Sequence, residues 1–167
     1  MNIIKEYLDR QNRRINKDLV FNFFIAFSRF EYALKRAGYL RSDKSGVHPD
    51  WEKFVSELKT KFKPSTAKEL ERAVKYLKDN PPRKQIVKNK SLSWDIAHDT
   101  RKQPLVSLLI VYIRRVRNNL FHGGKFPMRP IEEPARNEKL LNNSLVILNR
   151  CLELHTKVKS YFLHSDY

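Results

Sequence analysis

Across residues 16–37 the apolar side chains Leu19, Phe23, Ala26, Phe27, Phe30, Ala33, Leu34 and Ala37 return at steps of three and four. Side chains spaced this way share one face of an α-helix, and a face so rich in aromatics has to be buried against other elements. Gly38 follows at once and predicts the stop. The same period recurs downstream. Pro49 suits the first turn of a helix running to about Phe62. Thr66 with Glu69 has the spacing of a capping box, opening a helix that ends near Lys78. A long helix is predicted from Arg101 or Lys102 to Gly123-Gly124. A final one runs from about Arg136 to Tyr161, with Leu140, Leu141, Leu145, Leu148, Leu152 and Leu154 on its apolar side. Residues 1–15 suggest a short leading helix anchored by Ile4, Leu8 and Ile15.

Residues 41–50 read as a loop. Residues 79–101 read as irregular, with weak alternation around 85–93 and with Trp94 and Ile96 as core pegs. A loop this long usually has a task, which makes it a candidate substrate-contacting segment. The expected fold is therefore all-α: one domain over residues 1–167, built as a bundle of four to five helices.

Charge narrows the partners. Lys plus Arg outnumber Asp plus Glu by 34 to 18, a net +16. Such an excess on a small domain calls for a polyanion, nucleic acid first. No helix pairs a basic face with Trp or Phe at its boundary, so a membrane surface is the weaker reading. The runs "LVFNFFIAF" and "PLVSLLIVYI" are too short to span a bilayer. Cys151 is the single cysteine, which excludes an internal disulfide and a zinc finger and suits a reducing cytosol. The N-terminus lacks the apolar core of a secretory signal, so the expected location is cytoplasmic. No glycine-rich phosphate loop is present, and "LKDNPPR" is not the tight turn of a helix-turn-helix.

The chemistry concentrates in residues 114–126, "RRVRNNLFHGGKF". On a helical wheel Leu105, Leu108, Leu109, Tyr112, Val116 and Leu120 form the core arc. Arg114, Asn118 and His122 make a polar stripe opposite, framed by Ile110, Val111 and Phe121. An apolar frame there suggests cover by another surface, most simply a second copy of the chain. Arg117 and His122 stand about 140° apart on a regular helix. They converge only if the last turn unwinds toward the glycines, or if a two-fold axis brings one chain's Arg to the other's His. Histidine moves protons near neutral pH, and arginine grips phosphate oxygens with a planar fork. The same residues are also what a solvated helix end complementing its dipole would carry.

"RNNLFH" (117–122) resembles the R-x4-6-H signature of the HEPN superfamily, late in a long helix and with a polar residue directly after the arginine. "FSRFEYALKRAGY" (27–39) is similar in character to the first core helix of several HEPN groups from prokaryotic defence and toxin systems. The resemblance implies a HEPN-like bundle acting as a homodimeric, metal-independent endoribonuclease without cofactors, a toxin or phage-defence effector. Arg117 and His122 would be catalytic and Asn118 accessory. Cleavage would leave a 2′,3′-cyclic phosphate and a 5′-hydroxyl, and a cognate antitoxin or inhibitor would be a further partner. Many superfamily members keep the fold without cleaving RNA, so a non-catalytic RNA- or nucleotide-binding module is the alternative.

Other residues fall around this centre. Glu31 is either a partner orienting Arg117 or half of a helical pair with Lys35. Arg114, Arg115 and Lys125 are candidate RNA contacts, as are the lysines of "PPRKQIVKNK", which a solvated charge run explains equally. Arg29 and Arg36 read as surface charges. His48, His98, His155 and His164 are scattered, and Asp95, His98 and Asp99 alone are not a metal site. Cys151 reads as a buried structural thiol, and Trp51 and Trp94 as core.

Overall fold

The computed structural model describes residues 2–3, 5–6, 16–95, 103–121 and 134–164. The predicted helix at the start of the core is present as α1 (Lys17–Arg36). Asn16 caps it, its side-chain oxygen accepting from the Leu19 N–H at 3.0 Å. Its far end closes as a Schellman turn: Gly38 N–H donates to Lys35 O at 3.1 Å and Tyr39 N–H to Leu34 O at 2.9 Å. That turn requires a left-handed residue, and Gly38 supplies it with φ +94°. The turn delivers Tyr39 to a buried position beside α1.

Next comes an antiparallel hairpin, β1 (Leu40–Asp43) and β2 (Gly46–Pro49), where a loop was expected. Gly46 at φ +120° and Asp43, whose carboxylate accepts from Ser45 N–H at 2.7 Å, close its turn. All of β1 is exposed, so the strand carries no buried alternation to read. Pro49 belongs to β2 rather than to a helix. The following helix, α2 (Trp51–Leu58), is capped by Asp50 and stops before Phe62.

Thr66 does not cap a helix. It lies in a 3-10 turn (Pro64–Thr66), its hydroxyl bonded back to Lys63 O at 2.9 Å. The next helix, α3 (Lys68–Asp79), starts after Ala67 with no side-chain cap. A second hairpin follows, β3 (Lys84–Lys88) and β4 (Ser91–Asp95), turning through Asn89 and Lys90 at φ 51° and 60°. These two left-handed residues make a type I′-like turn without the usual glycine. The all-α expectation is thus corrected to a mostly helical fold with two strand pairs.

The long helix α4 (Leu105–Phe121) begins after Pro104. The helix α5 (Pro134–Glu153) and the short α6 (Thr156–Leu163) replace the single final helix expected. The break at Leu154–His155 has no Gly or Pro. It is set by tertiary contacts: the His155 ring accepts from Val158 N–H at 3.3 Å and meets the Tyr39 hydroxyl at 2.7 Å. Arg29, read as a surface charge, ties down the other end of α6. Its guanidinium donates to the carbonyls of Tyr161, Phe162 and His164 at 2.7, 3.0 and 2.7 Å.

The core lies where α1 meets the other helices. Phe23, Phe27, Phe30 and Leu34 pack with Trp51, Phe54 and Leu58 of α2, Leu77 of α3, Leu109 and Ile113 of α4, and Leu140 and Ile147 of α5. Phe30 alone has ring contacts with Trp51, Phe54 and Phe162, joining three elements. Trp51 is core as expected, whereas Trp94 is not: it is 37% exposed on β4. Ile96 and most of residues 1–15 lie outside the described residues. Among the described residues no helix is long and apolar enough to cross a membrane.

Candidate functional site

The core arc of α4 is rotated from the one its wheel suggested. Val106, Ile110 and Ile113 join Leu109, Tyr112 and Val116 in the interior, while Leu105, Leu108 and Leu120 are only partly buried. Ile110 is therefore covered by the chain's own helices, and Val111 packs against the same core while remaining partly exposed, so neither by itself calls for a second copy. Of the proposed frame only Phe121 is open, at 58% exposure. Its ring meets that of Phe24 of α1 in a tilted contact at 5.4 Å, and Phe21 and Ile25 extend this exposed apolar strip along α1.

Arg117 borders that strip. Its guanidinium lies between the rings of Phe27 and Phe121, 5.3 and 5.6 Å from their centroids. One terminal nitrogen donates to both Glu31 oxygens, at 3.1 and 3.3 Å. The other donates to the Asn118 side-chain oxygen at 3.0 Å. Glu31, in turn, accepts from the Trp51 indole at 3.4 Å. Glu31 thus faces Arg117 rather than Lys35. Two rings, a carboxylate and an amide hold the fork in one orientation, and its Nε–H has no partner among the described residues.

Arg114 stands one turn earlier and half-buried, with no hydrogen-bond acceptor among the described residues. Burial holds its pKa below the ordinary guanidinium value; Glu31 and Glu52 oppose that shift, and Arg41 and Arg117 add to it. Glu31, the carboxylate that favours its charge most, is already hydrogen-bonded to Arg117. Arg41, Arg114 and Arg117 face two acids, Glu31 and Glu52, and the surplus positive charge belongs to a guanidinium that water does not fully solvate. An anion with several acceptor oxygens would satisfy it. Arg115 instead lies over the Tyr112 ring at 5.4 Å.

No family model, curated protein or solved structure matches this chain.

His122, Gly123, Gly124 and Lys125 lie outside the described residues, as do His98 and Asp99. The regular helix persists to Phe121, the residue before the histidine. Two further site-building residues escaped the sequence. Arg41 arrives from the unforeseen β1–β2 hairpin. Asn119 is only 5% exposed and donates to Arg83 O at 2.7 Å, pinning the base of the β3–β4 hairpin to the end of α4. Asn119 follows Val116 by three positions, so a polar residue on the buried arc was its visible signal.

Two other clusters have chemical residue types. Ser45, His48 and Asp43 gather at the exposed tip of the first hairpin. Ser45 Oγ and Asp43 Oδ1 lie 2.8 and 3.2 Å from the same ring nitrogen, Nε2. A relay needs them on opposite nitrogens, so this cluster latches a turn. Ser45 and then His48 hold the Asp43 carboxyl below its usual range. Tyr39, Glu57 and His155 form the second cluster; its ring nitrogen Nδ1 is occupied as the α6 cap, and its role is structural. Cys151 is buried, which pushes its thiol up to about 12 and leaves it inert at neutral pH. Among the described residues no three His, Cys, Asp or Glu side chains gather as metal ligands.

Proposed function

We propose that this chain is a metal-independent endoribonuclease of HEPN type, acting as a cytoplasmic homodimer in toxin or phage-defence biology. The observation that carries the reading is the pre-oriented Arg117 fork beside the partly desolvated Arg114, which has no hydrogen-bond acceptor among the described residues, at the end of a helix in a +16 chain. Guanidinium groups fixed before substrate arrives stabilise developing phosphate charge without reorganising. In this reading Arg117 and Arg114 bind the non-bridging oxygens of the scissile phosphate. His122 takes the proton from the 2′-hydroxyl, whose oxygen attacks phosphorus. The P–O5′ bond breaks, the 5′-oxygen takes up a proton, and a 2′,3′-cyclic phosphate remains. Asn118 fixes the fork, and Glu31 orients it from behind.

The exposed strip of Phe21, Phe24, Ile25 and Phe121 is the surface proposed for the dimer, since it is apolar and borders Arg117. A second reading is favoured by the Glu31–Arg117 pair itself. It neutralises the motif arginine inside one chain, as a module that binds RNA without cutting it could tolerate.

The test is incubation of purified protein with total RNA in EDTA. Wild type should yield fragments ending in cyclic phosphate, while His122→Ala and Arg117→Ala should lose at least about a hundred-fold in rate, the scale of a general base or an oxyanion donor. Intact RNA with wild type, or full cleavage with His122→Ala, sinks the nuclease. Tight binding without cleavage selects the module.

A further inference from the structure

We infer that the β3–β4 hairpin is an arm that grips single-stranded nucleic acid, with Trp94 as its stacking platform. The inference rests on the RNA-binding half of the reading above and is independent of cleavage.

The register dictates the arm's two faces. Gln85 pairs with Trp94 and Val87 with Leu92, and residues two apart share a face, so these four side chains stand together. Val87 is 80% exposed, Leu92 69% and Trp94 37%. On the opposite face Ile86 and Ser93 are partly buried, while Lys84, Lys88, Ser91 and Asp95 are exposed. A two-stranded ribbon ordinarily turns polar residues to water and apolar ones inward. Here the outward row is the apolar one, and it needs an occupant.

Charge says what kind. Arg83 and Lys90 flank the apolar row at its root and tip, and Lys84 and Lys88 stand on the opposite face of the same thin ribbon, where Asp95, paired with Lys84, is the single carboxylate. An occupant must therefore offer flat apolar faces and regularly spaced negative charge together. Unpaired bases on a phosphate backbone do so; a folded duplex hides its base faces. Lys90 adds an independent sign. It adopts φ 60°, a conformation that favours glycine, so a cation is held at the tip where glycine would be easier. That same charged tip argues against lipid, because it is the end that would have to enter the bilayer first.

The arm is also built to hold position. Asn119 grips Arg83 O at 2.7 Å, and Arg136 of α5 donates to Pro81 O at 3.1 Å. Asn119 stands two residues after Arg117, so the root of the arm is fixed to the last turns of the helix that presents the guanidinium cluster.

The experiment uses a fluorescein-labelled twelve-nucleotide U-rich single-stranded RNA with full-length protein carrying His122→Ala, so that binding is read alone. Trp51 is buried and Trp94 is not, so quenching of tryptophan emission on RNA addition should occur and should vanish in Trp94→Ala. Trp94→Ala should weaken binding roughly five- to a hundred-fold, the loss of one stacked base. Lys88→Ala with Lys90→Ala should lower the slope of log affinity against log salt by about 1.4. Unchanged far-UV dichroism and urea midpoints show that both variants fold. Wild-type affinity and salt slope in both variants overturns the inference, as does saturation without any change in Trp94 emission. So does a duplex of the same length binding as well as the single strand. If Val87→Asp with Leu92→Asp changes the mass in light scattering yet spares RNA affinity, the face is a protein interface. If anionic phosphatidylserine vesicles shift Trp94 emission and RNA does not, it is a membrane contact. Binding through the arm with no cleavage by the chain bearing His122 leaves this inference standing and removes only the nuclease.

Discussion

Glu31 on α1 and Arg117 on α4 meet through one guanidinium nitrogen, at 3.1 and 3.3 Å from the two carboxylate oxygens. The pair crosses 86 positions of sequence and ties α1 to the last turns of α4. Both side chains are mostly shielded, Glu31 at 21% and Arg117 at 31% exposure, so the pair is neither a free surface contact nor a fully buried one.

Replacing the carboxylate by an amide separates orientation from charge. Glu31→Gln keeps one oxygen for the Trp51 indole but leaves Arg117 uncompensated. Removing one charged partner of a shielded hydrogen bond costs about 1–3 kcal/mol, read as a lower urea midpoint. If the chain binds and cuts RNA as proposed, RNA affinity should rise, because the site gains a net positive charge, while cleavage rate per bound RNA falls as the fork loses its fixed direction. An equal fall in affinity and rate would show that Glu31 acts only on stability.

The anchor of the second hairpin is open to a similar test. Asn119→Ala leaves Arg83 O without its donor in a shielded place, a loss of about 1–3 kcal/mol. Hydrogen exchange over residues 83–95 should speed up more than exchange in α1 or α3. Uniform acceleration across the chain would mean that Asn119 serves the core and not the arm.

How much of this was legible follows from where each signal lives. α1 could be read because its period and its Gly38 stop agree within one stretch of chain. The first hairpin could not, since β1 is exposed throughout, and the second showed only as weak alternation around 85–93, because the Asn89–Lys90 turn lacks the glycine that marks its type. The capping box at Thr66 failed because a preceding proline drew the residue into a 3-10 turn, where its hydroxyl found Lys63 O. Arg117, Asn118 and Glu31 were visible as residue types, and the alternatives for Glu31 differed only in long-range packing. Arg29 looked like a surface charge for the same reason, since its acceptors lie more than a hundred positions away.

The Tyr39 phenol gives the fold an alkaline limit. Burial first, and then the hydrogen bond and charge of Glu57, push its pKa from 10.0 up to about 12. A raised acid is one whose neutral form the fold prefers. Its stabilisation is complete below about pH 10 and is lost as pH rises toward 12. The amount at stake is on the order of 2 kcal/mol. Urea midpoints at pH 9 and pH 11.5 should therefore fall further in wild type than in Tyr39→Phe, which has no proton to lose. Parallel curves would mean that the phenol is equally acidic folded and unfolded.

Lys90 sets stability against binding at one position. A non-glycine residue in the left-handed region costs roughly 1–2 kcal/mol, and Lys90 at φ 60° bears that cost in an exposed turn. Lys90→Gly relieves it, although part of the gain returns as the greater freedom of glycine in the unfolded chain. The expected net effect is a hairpin more stable by about 0.5–1 kcal/mol, seen as slower hydrogen exchange in residues 84–95. If the arm contacts phosphate, the same change should lower single-stranded RNA affinity and reduce the salt slope by about 0.7. A gain in stability with no loss of affinity would show that the tip cation has no part in binding, and the arm would then depend on Trp94 and the lysines nearer its base.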